Sequence, residues 1–189
     1  AKYVPDEYEA DKQLLIDFYN SKGYRDAEIT LDTLYAQNAK YMQVDVHVSE
    51  GQKYFFRDIS WNGNFLYNDE TLATILGVEK GDTYNLELIN KKLTYDPAGI
   101  DISSLYMDDG YLFFNIVPVE VGIESDSIDI EMRINEGSQA TINKVTISGN
   151  DKTSDHVIRR ELRTIPGRKF SRSELIRTNR EIAQLGYFN

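Results

Sequence analysis

The stretch TINKVTISGN, residues 141–150, follows Glu136-Gly137, and its near copy stands 86 residues earlier. There EGQKYFFRDISWNGN, residues 50–64, shows the same Glu-Gly, a strand-like run and then Gly-Asn. A repeat at that distance predicts tandem domains rather than one large one. Laid in register, the chain holds a full copy over about 52–137 between two incomplete ones, 1–51 and 138–189.

Composition bounds the rest. Hydrophobic residues make up 41% of the 189, with 13 Tyr and 8 Phe, enough for ordinary cores. No run approaches the roughly 18 apolar residues of a membrane span, and the N-terminus does not read as a signal peptide. If the protein is exported, this is a mature piece without its targeting segment. Cysteine is absent, which excludes disulfides and thiolate sites. A net charge of −10 argues against a nucleic-acid partner, which needs a basic face. The charge is uneven: residues 1–137 hold 11 Lys and Arg against 26 Asp and Glu, and residues 138–189 hold 10 against 5.

Each copy reads as strand, helix, helix, strand, strand. The opening strands carry Phe56, Ile59 and Trp61 and, in register, Ile142, Val145 and Ile147; the three-then-two step predicts a bulge. Gly63-Asn64 and Gly149-Asn150 supply turns, and Asn68 and Ser154 are cap-type residues ahead of helical runs. In the second helix of the last copy, Ser171 and Glu174 form a capping box. The first copy keeps only its second helix, with Pro5 near the start and Leu14, Leu15 and Phe18 on one face. These helices run into Gly23-Tyr24, Gly110-Tyr111 and Gly186-Tyr187, where glycine suits a left-handed cap. Two alternating, half-buried strands follow, through Met42, Val44, Val46 and Val48 and through Ile128, Ile130, Met132 and Ile134. The middle copy has ten extra residues near 94–104, around Asp96-Pro97 and Gly99; they are expected as a surface insertion between helix and strand.

The run INKVTISGNDKTSDHVIRRELRTIPGRKFSRSEL, with the closing Gly-Tyr-Phe, resembles the POTRA (polypeptide-transport-associated) domains of the outer-membrane β-barrel assembly factor family. DPAGIDISSLYMDDGYLFF looks like the third such domain of Bacteroidetes members. The resemblance implies an α+β fold of tandem units, each a three-stranded mixed sheet with two helices on one face. It implies a periplasmic place beside the outer membrane, nascent outer-membrane β-barrel proteins and accessory assembly lipoproteins as partners, and a membrane barrel that this chain does not contain. No cofactor is implied, and no nucleophile elbow, phosphate loop or metalloprotease motif is present, so enzyme activity is not expected.

An edge strand offers unpaired N–H and C=O groups with which an extended peptide pairs whatever its sequence. The strand after Gly110 is the candidate, because Pro118 lies inside it and proline suits an unpaired edge. Leu112, Phe114 and Ile116 form the inward set. Tyr111, Phe113, Asn115, Val117 and Val119 are the candidate client-binding or partner-binding residues; the alternative is that a neighbouring copy or the insertion buries that face.

The second candidate surface is basic: Arg159, Arg160 and Arg163, in a series with Arg168, Lys169, Arg172, Arg177 and Arg180. It is either a solvated face or the seat of an acidic partner or neighbouring copy. His47 and His156 stand apart with no ligand cluster, so no metal is expected. Asp108-Asp109 reads as a helix stop and Trp61 as core. The complementary incomplete copies and the charge asymmetry allow head-to-tail self-association between chains. Besides the assembly scaffold, an envelope adaptor that docks one folded partner, as in division or two-partner secretion, stays open.

Overall fold

The computed structural model describes residues 3–38, 41–96, 98–150 and 153–186. Pro97, Tyr187 and Phe188, used in the reading above, lie outside them. The chain divides into two compact units, Ala1–Ser60 with Gly77–Asn90 and Pro118–Glu131, and Trp61–Leu76 with Lys91–Val117 and Met132–Asn189.

In the first unit, α1 (Pro5–Ser21) starts with proline in its first turn. It ends at Gly23, φ +97°, where the Gly23 N–H reaches Asn20 O (3.1 Å) and the Tyr24 N–H reaches Tyr19 O (3.1 Å). That pair of bonds satisfies the last carbonyls of the helix. β1 (Glu28–Ala36) and β2 (Met42–Ser49) form an antiparallel pair, with a register shift between Ile29 and Leu31. The expected half-burial of this hairpin is not found. Met42, Val44, Val46 and Leu31 are exposed, as are Leu14 and Phe18 of α1. The core of the unit is Phe56, Tyr84, Ile89, Ile128 and Ile130, with the Phe56 and Tyr84 rings 5.3 Å apart.

The middle copy supplies β3 (Phe55–Asn62), α2 (Asp69–Leu76), α3 (Leu86–Thr94), α4 (Ile102–Asp108), β4 (Asn115–Glu124) and β5 (Ser127–Asn135). The sheet order β3-β5-β4 makes β5 central and β3 and β4 the edges. β4 and β5 are joined by Ser125-Asp126, a two-residue hairpin in which Ser125 takes φ 56°. β5 buries Ile128, Ile130 and Met132 in the expected alternation.

In the second unit, Leu72, Leu76, Leu93, Ile102, Tyr106, Phe114, Ile116 and Met132 form the core. Asn68 caps α2 by accepting from the Thr71 N–H (3.0 Å). Asn64 holds the approach to it, donating to Tyr67 O (3.0 Å) and Asp69 Oδ1 (2.7 Å). Asn150 repeats both bonds with Thr153 O (2.9 Å) and Asp155 Oδ1 (2.7 Å). Asn68→Ala is expected to lower stability by about 1 kcal/mol in urea unfolding; an unchanged midpoint would remove the cap from the account.

The insertion differs from expectation. It interrupts the second helix, as the Asp96 and Gly99 region predicts, but it is not confined to the surface: the chain re-enters the core at α4. Asp101 is buried and caps α4, accepting from the Ser104 N–H (2.7 Å) and the Asp96 N–H (3.1 Å). Ser103 Oγ donates to Leu93 O (2.8 Å), tying the two segments together.

The last copy holds α5 (Asp155–Arg159) and α6 (Arg172–Gln184), the latter capped by Ser171 Oγ from the Glu174 N–H (3.2 Å). Its opening stretch is not a strand. Residues 142–148 make no ladder, and a single bridge pairs Thr141 with Lys169.

Candidate functional site

β4 is an edge strand and carries Pro118, as the candidate receiving edge requires. It begins only at Asn115, so Tyr111 and Phe113 sit in a tight turn in which the Phe114 N–H reaches Tyr111 O (3.1 Å). The same turn recurs at Ala27 N–H to Tyr24 O (3.2 Å). The turn breaks the alternation: Phe114 and Ile116 are buried as expected, whereas Leu112 is exposed rather than inward. In the second unit Phe113 is 67% exposed, Val117 45%, and Asn115 is exposed as well. In the first unit Val119 is half-buried, while Val121 (53%) and Ile123 (48%) are exposed. These last two extend the apolar side chains of the strand. The alternating pattern of 115–123 already contained them.

The joints between copies are the part that residue patterns did not reveal. In the first unit the Tyr54 N–H donates to Gly23 O (2.8 Å), and Asn85 Nδ2 donates to Ser21 O (3.1 Å). In the second unit the Ala140 N–H donates to Gly110 O (2.8 Å), and Ser171 Oγ donates to Asp108 Oδ1 (3.0 Å). These are the same positions one period later. Each glycine is needed there: a Cβ on Gly23 would meet Thr83 Cγ2 at 2.6 Å, and one on Gly110 would meet Gln139 Cγ at 2.8 Å.

Side chains then differentiate the two joints. The first is held by a chain of polar groups. Arg25 forks onto Glu120 (Nε to Oε1 3.0 Å, Nη2 to Oε2 2.6 Å), Arg25 Nη1 reaches Asp26 Oδ1 (2.7 Å), and the Tyr84 and Tyr54 hydroxyls donate to Glu120 (2.6 Å) and Asp26 (2.7 Å). Burial first, and then the bond to Glu120, push the Tyr84 hydroxyl pKa well up, so it stays a proton donor.

In the second joint Asp108 also accepts from the Ser173 N–H (2.7 Å), at the start of α6. Asp109 binds Lys169 and the Tyr67 hydroxyl. Arg172 Nη1 donates to Ser104 Oγ (3.1 Å). The acidic pair read as a helix stop therefore grips the next copy, and part of the basic series is its counterpart.

Lys169 first, then Tyr67, hold the Asp109 carboxyl below its ordinary pKa. A depressed carboxylate stabilises the fold above its unfolded pKa, and that contribution is lost as pH falls through the lowered value. Thermal unfolding of Asp109→Asn is accordingly expected to vary less between pH 6 and pH 3 than that of the wild type (pH range on the order of the carboxylate titration). Equal acid dependence would exclude this role.

Arg159, Arg160 and Arg163 are exposed, and each lies beside an acid of its own copy. Arg159 is 3.8 Å from Asp155, Arg160 2.8 Å from Glu161 and Arg163 2.9 Å from Glu181. Among the described residues, no group of three or more His, Asp or Glu is placed to hold a metal. Trp61 is half-buried.

The sequence pattern of the POTRA family, described as "Surface antigen variable number repeat", matches residues 1–51, 54–137 and 140–189. The chain is similar to two proteins named outer membrane protein assembly factor BamA. One, from Neorickettsia risticii, is 27% identical over 99% of this chain and 24% of its own length. The other, from Neisseria meningitidis, is 27% identical over 97% of this chain and 23% of its own length. The chain thus spans about a quarter of these relatives. Among solved structures, Haemophilus influenzae BamA POTRA3-5 superposes with a TM-score of 0.75 at 21% identity, covering 100% of this chain and 73% of the other.

Proposed function

This chain belongs to the POTRA family, and from that premise we propose that it is a non-catalytic periplasmic scaffold of an outer-membrane protein assembly factor. It receives unfolded outer-membrane proteins by strand addition at the edge of β4. The observation that carries this reading is an edge strand with exposed apolar side chains, Phe113, Val117, Val121 and Ile123. Backbone pairing supplies affinity without demanding a sequence, and the apolar side chains favour the alternating faces of barrel strands. Arg159, Arg160 and Arg163 form the surface offered to an acidic accessory protein.

An NMR titration of the labelled chain with extended peptides from outer-membrane barrel strands tests the reading. Shifts are expected to gather on residues 111–123 and to shrink when Val117 and Val121 are replaced by serine, which removes exposed apolar side chains and leaves the ladder to β5 intact. Saturating peptide without shifts there would overturn strand addition and turn the assignment to a scaffold that docks one folded partner.

A further inference from the structure

We propose that Arg25 and Glu120 are positioning residues for the receiving edge: their ion pair fixes β4 just beyond Pro118, so that closure of the first joint and addition of a strand are coupled. This rests on the reading of β4 as the receiving edge. The paired edge of β4 faces β5, and among the described residues no strand lies beside its other edge. Glu120, two residues past Pro118, is the side chain of β4 that the first copy grips.

The grip is two-pronged and shielded, with the Arg25 side chain 33% and the Glu120 side chain 28% exposed. Bidentate guanidinium–carboxylate pairs fix orientation as well as distance. The charged and titratable groups around Glu120 are Arg25 and Asp26 from the turn before β1 and Tyr84 ahead of α3; Tyr54, ahead of β3, holds Asp26 in place. Glu120 accepts from both Arg25 and Tyr84, so it is the link through which the joint reaches the strand. The second joint lacks this device: the positions of Arg25, Tyr54 and Tyr84 are there occupied by Leu112, Ala140 and Phe170. An edge already held in place loses less conformational freedom when a strand adds. The coupling is reciprocal, so strand addition tightens the joint.

The test titrates the full labelled chain with a soluble peptide of alternating Val and Thr flanked by Lys. The proteins compared are the wild type, Arg25→Gln, Glu120→Gln and the double variant. Each single change is expected to weaken binding about five-fold, and the double by no more than either alone. Added salt weakens binding to the wild type more than to Glu120→Gln. Unchanged affinity in both singles, or losses that simply multiply in the double, would overturn the coupling. If the wild type binds no peptide at β4, the reading of that edge fails, and the positioning role is judged separately by amide hydrogen exchange at Glu120–Ile123. Faster exchange in Glu120→Gln supports it, and equal rates refute it.

Discussion

Gly63→Ala is expected to unfold the second unit at a denaturant concentration far below the wild type, with a loss of about 3 kcal/mol or more. Gly63 has φ +90°, which an L-residue adopts only under strain. A Cβ there would also lie 2.1 Å from the carbonyl oxygen of Ile134. That atom is backbone, at the end of β5, and no rotamer change relieves the clash. The turn after β3 would have to open, and with it the approach to α2 that Asn64 holds. Gly81 is the matched control, because its φ is +91° but no atom stands within 4 Å of an added Cβ. Gly81→Ala carries the conformational strain alone, about 1 kcal/mol. Urea unfolding followed by circular dichroism separates the two, and equal losses would show that the close approach to Ile134 is relieved at no cost.

Tyr106→Ala is expected to remove about 4 kcal/mol. The ring is fully buried, stacks on Phe114 with centroids 4.1 Å apart, and meets Tyr67 edge-on at 4.9 Å. Its hydroxyl donates to Glu136 Oε1 (3.1 Å), an oxygen that also accepts the Leu66 N–H (2.8 Å). Tyr106→Phe keeps the packing and removes one donor to a carboxylate that retains another, so about 1–2 kcal/mol is lost. A Phe variant as damaged as the Ala variant would place the hydroxyl, rather than the stacked rings, at the centre of this core. Tyr106 arrives there through α4, whose first residues, 102–104, belong to the insertion expected on the surface.

Much of the molecule was legible from short-range chemistry. Asn68, Ser171, Gly23 and Gly110 act within a few residues of themselves, so their types at their spacings were enough to place caps and helix ends. The alternation through Ile128, Ile130 and Met132 likewise follows from the two-residue period of a strand with one covered face. The candidate edge was legible for the same reason: Pro118 excludes a central place in the sheet. Its starting point was not, because the Tyr111–Phe114 turn bends the chain within a run that reads as one alternating pattern.

The failures have a common physical origin. Met42, Val44 and Val46 have the pattern of a buried face, and Ile142, Val145 and Ile147 that of a paired strand. Yet burial and pairing depend on segments distant in the chain, and here the first set is exposed and the second forms no ladder. Asp101 and Ser103 sit inside because α4 returns to the core, which propensity cannot foresee. The repeat, the caps and the order of elements thus follow from local rules of backbone and side chain. Tertiary contact settled which copies grip one another, through Asp108 with Ser171 and Arg25 with Glu120, since a bond across 63 or 95 residues leaves no periodicity behind it.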